Sequence, residues 1–202
     1  MCGIIGIASN KSVSINIINA LKKLEYRGYD SAGLATISNG EINEKKCPGR
    51  VEKLEKILFQ NPSEGNLGIG HVRWATHGVP NEINAHPHSS EIVSVVHNGI
   101  IENSDELKKD LEKSGKVFKS QTDTEVITVL LTEKIKKLEL LDSESGSSKK
   151  EFSIKERFSN KTAIAPTDSI WIICKAVFET LDMLKGSFAL GIIFKNYKDF
   201  VI

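Results

Sequence analysis

Cysteine is scarce in this chain. The 202 residues hold three, Cys2, Cys47 and Cys174, an odd number with no CxxC pair. That argues against a disulfide framework and against the paired-thiol pattern of a structural zinc site. A charge excess of one sign is also lacking: 27 basic residues offset 26 acidic ones and leave +1. Nothing in that balance calls for a nucleic-acid partner or an anionic membrane. No apolar run is long enough to span a bilayer. The first residues lack the basic start and long apolar core of a secretory signal. The chain is therefore expected in the cytoplasm. Apolar residues at 40% and charged residues at 26% fit a globular protein with one sizeable domain.

The hydrophobic pattern alternates between strand and helix. Residues 3–8 read as a short buried strand. Val13, Ile17, Leu21 and Leu24 share one face of a helix over 13–25, with Ser12 or Ser14 as its cap. A strand at 32–37, the turn dipeptide Asn39-Gly40 and a return strand at 41–46 form a hairpin. Val51, Leu54, Ile57 and Leu58 mark a second helix, ended before Asn61-Pro62. Residues 67–73 are a strand, and 74–91 a long polar loop of the kind that carries function. The β-branched run 92–97 ends at Asn98-Gly99. A short helix follows at 104–113, capped by Ser104. Thr122-Asp123-Thr124-Glu125 forms a capping box for a helix over 123–139. Residues 142–168 are rich in Ser, Lys, Glu and Thr and read as a mobile, low-complexity insertion. A helix at 170–184, closed by Gly186, leads into a buried strand at 187–194 and the start of another. Grouped strands and helices with hairpin turns predict a layered α+β domain with antiparallel sheets.

The opening MCGIIGI raises the chemical question. Were Met1 removed, Cys2 would carry a nucleophile and a free amine on one residue. An α-amine titrates at about 8 and a thiol at about 8.5, so the amine can take the thiol proton. The other reading is a small apolar residue heading a strand. All five histidines, His71, His77, His86, His88 and His97, fall within 27 positions. Their spacing matches neither HExxH nor a structural zinc pattern, so they read as hydrogen-bonding residues and not as metal ligands.

MCGIIGI is followed in order by EYRGYDSAG (25–33), GIGHVRWATHG (68–78), NAHPH (84–88), VVHNGIIEN (95–103) and TDTEV (122–126). Together these resemble the class II glutamine amidotransferases, from Cys2 to about Leu138 and again over about 177–194. EYRGYDSAG and RWATHG resemble the hexosamine branch, the glucosamine-6-phosphate synthases, more than the purine-pathway phosphoribosyl amidotransferases or the asparagine synthetases. The resemblance implies a four-layer αββα sandwich of the N-terminal-nucleophile hydrolase type. It implies that Cys2 attacks the amide of L-glutamine and releases ammonia, with its own amine as base. It assigns Asn98 and Gly99 to an oxyanion hole, Arg73 to the glutamine α-carboxylate and Asp123 to the α-ammonium. Trp74, Thr76 and His77 fall in the segment that closes over glutamine, and Arg27 packs near the nucleophile. No cofactor and no metal are implied.

Plainer readings stand beside these. Asn98-Gly99 could be a strand-end turn, Trp74 a core residue, Arg27 a partner of Asp30, and Asp123 a carboxylate placed for the helix dipole. Full-length relatives carry sugar isomerase domains after the glutaminase domain, and fructose-6-phosphate would be a substrate only through them. Homodimerisation also belongs to that full-length form. The chain over 2–202 is thus expected to be a glutaminase domain cut short at its C-terminus. The alternatives are a glutamine-binding or regulatory fragment without turnover, or an amidotransferase with another ammonia acceptor.

Overall fold

The structure, a computed structural model, describes residues 2–75, 78–144, 168–197 and 201–202. The chain divides into two compact units, Met1–Leu130 with Leu184–Ile202, and Leu131–Met183. The first unit is built on two antiparallel sheets. One contains β1 (Gly3–Ala8), β2 (Ser31–Ser38), β3 (Glu41–Pro48) and β4 (Leu67–Arg73) in the order β1-β4-β2-β3. The other contains β5 (His88–Ser89), β6 (Val93–Ile101) and β7 (Gly186–Phe194) in the order β5-β6-β7.

Period-2 alternation in β2 and β4 divides their side chains between two cores. Ala32, Leu34 and Val72 face α1 (Ser14–Leu24) and α2 (Val51–Gln60), where Ile17, Leu21, Leu54 and Leu58 meet them. Ala35, Ile37, Leu67 and Ile69 face the other way, onto Val96 and Ile193 of the second sheet. On that sheet's far side lie the first turns of α4 (Asp123–Glu144). There the Thr128 hydroxyl donates to the His88 carbonyl at 3.3 Å. Helix, sheet, sheet and helix give the expected αββα order. α3 (Ser104–Lys113) follows β6 in the chain. In the second unit, the rest of α4 and α5 (Asp168–Leu181) bury Ile135, Leu138, Ile173 and Val177, and Lys134 reaches Glu179 at 3.5 Å. No described helix is long and apolar enough to cross a membrane.

Several local expectations are corrected. Neither Ser12 nor Ser14 caps α1. Val13 stands at the cap, and the buried Ser14 hydroxyl donates to the Ser63 carbonyl. Asn103, not Ser104, precedes α3, and its side-chain oxygen accepts the Lys185 N–H at 2.8 Å. The capping box at 122–125 gives way to another arrangement. Glu125 accepts from the N–H groups of Lys119 and Ser120, while the Thr122 N–H donates to the Ser120 hydroxyl. Gly186 does not close α5 but opens β7 at φ +124°. The long loop contains the short strand β5. β6 runs on through Asn98-Gly99 to Ile101 and so is not a strand ending there in a turn. Asn39-Gly40 is a turn as expected, with φ of 53° and 78°. α4 extends to Glu144 and α5 starts at Asp168. The rest of the expected insertion, 145–167, lies outside the described residues. At the C-terminal end Ile202 pairs with Ile192 through hydrogen bonds of 2.7 and 3.0 Å, as the expected further strand would.

Candidate active site

β1 and β4 pair with Gly3 opposite Val72, so Cys2 reaches the level of Arg73 and Trp74 just where β4 ends. The partly exposed thiol lies 3.4 Å from the Trp74 N–H, which donates to it, and 3.6 Å from the Trp74 carbonyl. Two side chains from elsewhere hold the Cys2 backbone. Arg27 Nε donates to its carbonyl at 2.9 Å and Asn98 Nδ2 at 3.2 Å. Three distant motifs thereby meet at one peptide unit. Arg27 is thus tied to Cys2, and Asp30 accepts the Ala75 N–H at 2.8 Å. Gly28 allows the crossing. A Cβ there would sit 2.5 Å from the Arg73 carbonyl carbon and 2.6 Å from the Trp74 nitrogen.

Arg73 is directly opposite Ser31 of β2 and is 5% exposed. Burial pulls its guanidinium below the usual range, against the pull of Cys2, Asp30 and Asp123. A buried guanidinium flanked by acidic groups at the end of a strand is suited to a carboxylate ligand, because its planar fork binds both oxygens. Asp123 begins α4. Its Oδ2 accepts the Ile101 N–H at 3.0 Å, and its Oδ1 lies 3.5 Å from His97 Nδ1. Burial pushes the Asp123 carboxyl up, but hydrogen bonds from His97 and Ile101 outweigh it, so the group stays ionised below the usual carboxylate range. Asp123 therefore keeps its negative charge at neutral pH even though it is partly buried.

Asn98 and Gly99 are paired with Ala189 and Phe188 of β7. Gly99 has φ +145°, and a Cβ on it would run into the Ser187 carbonyl. Glycine is required there by the neighbouring strand's backbone, not by a turn. Trp74 is 45% exposed and packs edge-on against Tyr29 at 5.9 Å, so core burial is not its role. Thr76 and His77 lie outside the described residues.

Four histidines from the sequence cluster are buried together. His71 stacks on His86 at 4.2 Å, and His86 meets His88 edge-on at 5.0 Å. His86 Nε2 and His97 Nδ1 both reach the Thr124 hydroxyl, at 2.6 and 3.0 Å. His88 Nε2 reaches the Thr122 hydroxyl at 2.9 Å. Burial lowers His71 and His88 to about 3, and His86 well below its ordinary value, so these rings are neutral. Among the described residues no group of three or more His, Cys, Asp or Glu could hold a metal ion. Sequence reasoning missed Thr124 and the link from His97 to Asp123. The available signal was that His97 and Thr124 each adjoin a candidate site residue.

A family model described as a glutamine amidotransferase domain matches residues 58–141. The glutamine–fructose-6-phosphate aminotransferase (isomerizing) of Mesorhizobium japonicum is 43% identical over all 202 residues. The enzyme of the same name from Agrobacterium fabrum is 56% identical over 131 residues, 65% of this chain and 22% of that one. The chain spans 28% of the length of the Mesorhizobium relative. Among solved structures, the glutamine phosphoribosylpyrophosphate amidotransferase of B. subtilis shares the fold. It has a TM-score of 0.66 and 24% identity, covering 96% of this chain and 35% of that one. With Cys2, Arg73, Asn98 and Asp123 drawn to one end of paired sheets, and with such identity along the whole sequence, the chain belongs to the class II glutamine amidotransferases.

Proposed function

We propose that this chain is the glutaminase part of a glutamine–fructose-6-phosphate aminotransferase and that it works in the cytoplasm. The observation that carries the reading is the joint grip of Arg27 and Asn98 on the Cys2 carbonyl. It fixes the thiol at the Trp74 peptide, beside Arg73. L-glutamine binds with its α-carboxylate on Arg73 and its α-ammonium on Asp123. The free α-amine of Cys2, exposed once Met1 is removed, takes the thiol proton. The sulfur adds to the side-chain carbonyl carbon. The new oxyanion is met by the Gly99 N–H and by the Asn98 amide, whose second N–H remains available while the first holds Cys2. Collapse breaks the carbon–nitrogen bond, and the proton on the amine leaves with ammonia. Water then cleaves the γ-glutamyl thioester to glutamate and restores the thiol. Trp74, Thr76 and His77 complete the glutamine-binding set. Residues 2–202 serve as the amidotransferase domain. The ammonia is destined for fructose-6-phosphate on sugar isomerase domains that full-length relatives supply.

The test is glutamate release from L-glutamine by the chain lacking Met1, together with intact mass after treatment with a glutamine-like electrophile. One added adduct on Cys2 and no turnover in Cys2→Ala are expected. Labelling of Cys47 or Cys174, or undiminished turnover in Cys2→Ala, would overturn the mechanism.

A further inference from the structure

The substrate-amine contact depends on where Asp123 points. A carboxylate at a helix start can rotate about two bonds, and each wrong rotamer turns its charge away from the ligand. Here each oxygen meets a donor from β6, Oδ2 the Ile101 N–H at 3.0 Å and Oδ1 the His97 ring at 3.5 Å. His97 is itself fixed. It is 3% exposed, and His71 Nε2 donates to its carbonyl at 3.1 Å. Its Nδ1 faces both the Thr124 hydroxyl and a carboxylate, so Nδ1 carries the proton, because a bare lone pair would be repelled by Asp123. The Thr124 oxygen then accepts from His97 and gives its own proton to His86 Nε2 at 2.6 Å.

We propose that His97 is a positioning residue for substrate recognition. Its Nδ1–H, turned toward α4 by Thr124, holds Asp123 in the rotamer that presents Oδ1 to the amine of glutamine. His97 touches no reacting atom and acts through Asp123. The proposal rests on the assignment of Asp123 to the α-ammonium, and the experiment separates the two.

The full chain is compared on L-glutamine and on glutaramate, the same amide without the α-amine. Binding is measured by calorimetry, and turnover by ammonia release. Asp123→Asn should abolish the preference for L-glutamine. His97→Phe should raise KM for L-glutamine by about 10-fold, the loss expected for a hydrogen bond to a charged group. It should leave kcat within about threefold and glutaramate untouched. His97→Asn, which keeps a donor near Nδ1, should restore most of the preference. Should His97→Phe fail to fold, His97→Gln, with its donor displaced, carries the same comparison. A preference that survives in His97→Phe, or in His97→Gln where it stands in, or an equal loss on both substrates, overturns the role of His97. If Asp123→Asn keeps the preference, the Asp123 assignment itself fails, and the proposal with it.

Discussion

Gly99 shows how a single residue joins fold and chemistry. At φ +145° its backbone occupies a region that L side chains rarely adopt, and Phe188 Cα lies 2.6 Å from where a Cβ would be. Gly99→Ala is expected to destabilise the fold by about 2 kcal/mol or more, read as a lower urea midpoint, and to lose glutamine turnover as β6 shifts. Arg73 makes a different demand. Arg73→Lys keeps the charge but loses the planar fork, so KM for L-glutamine should rise about 10-fold or more while the urea midpoint moves little. An unchanged KM would show that the carboxylate is held elsewhere. For Asn98→Ala a fall in kcat of about 10²–10³ is expected, with a smaller change in KM, if its amide meets the oxyanion.

At the scale of elements, β4 and α1 meet through glycine. A Cβ on Gly70 would stand 2.5 Å from Ile17 Cγ2, and one on Gly68 would stand 2.8 Å from Ile17 Cδ1. Gly70→Ala should therefore overpack this face and cost about 1–3 kcal/mol. Ile17→Val in the same chain should recover part of the loss, and additive urea midpoints would rule out the contact as the cause. Much of this layer was legible in the sequence. The alternation of LGIGHVR gave β4 its bounds, and the spacing of Val13, Ile17 and Leu21 gave α1 its face. What failed had a nonlocal cause. The dipeptide Asn-Gly occurs twice, at 39–40 and 98–99. It turns the chain only at 39–40, because β7 pairs with residues 93–101 and draws 98–99 into a strand. The pattern Thr122-x-x-Glu125 predicts a cap partner in Glu125, yet the N–H groups of Lys119 and Ser120 claim it. The site was legible as a set of motifs, since each of Cys2, Arg73, Asn98 and Asp123 sits in one. The tie between His97, Thr124 and His86 was not, because it depends on how β6 lies against α4.

For the molecule as a whole, the buried histidines govern the response to acid. Unfolded, His71 and His88 bind protons near 6.5, but in the fold they do so only near 3. Between those values the unfolded chain carries more protons. Stability is therefore complete above about pH 6.5 and falls as pH drops, by about 1.4 kcal/mol per pH unit for each ring. Urea midpoints at pH 7.5 and 5.5 should differ accordingly, and a flat profile would mean that the rings take up protons without unfolding. The pairing of β6 with β7 has a consequence of another kind. Asn98 and Gly99 gain their strand partner only from residues 186–194, some 90 positions later in synthesis. A ribosome that has delivered Cys2, Arg73 and Asp123 has therefore not yet delivered the strand that sets the backbone of Gly99. On the proposed mechanism the nascent chain would not turn over glutamine until β7 has emerged, so half-made copies would not release ammonia.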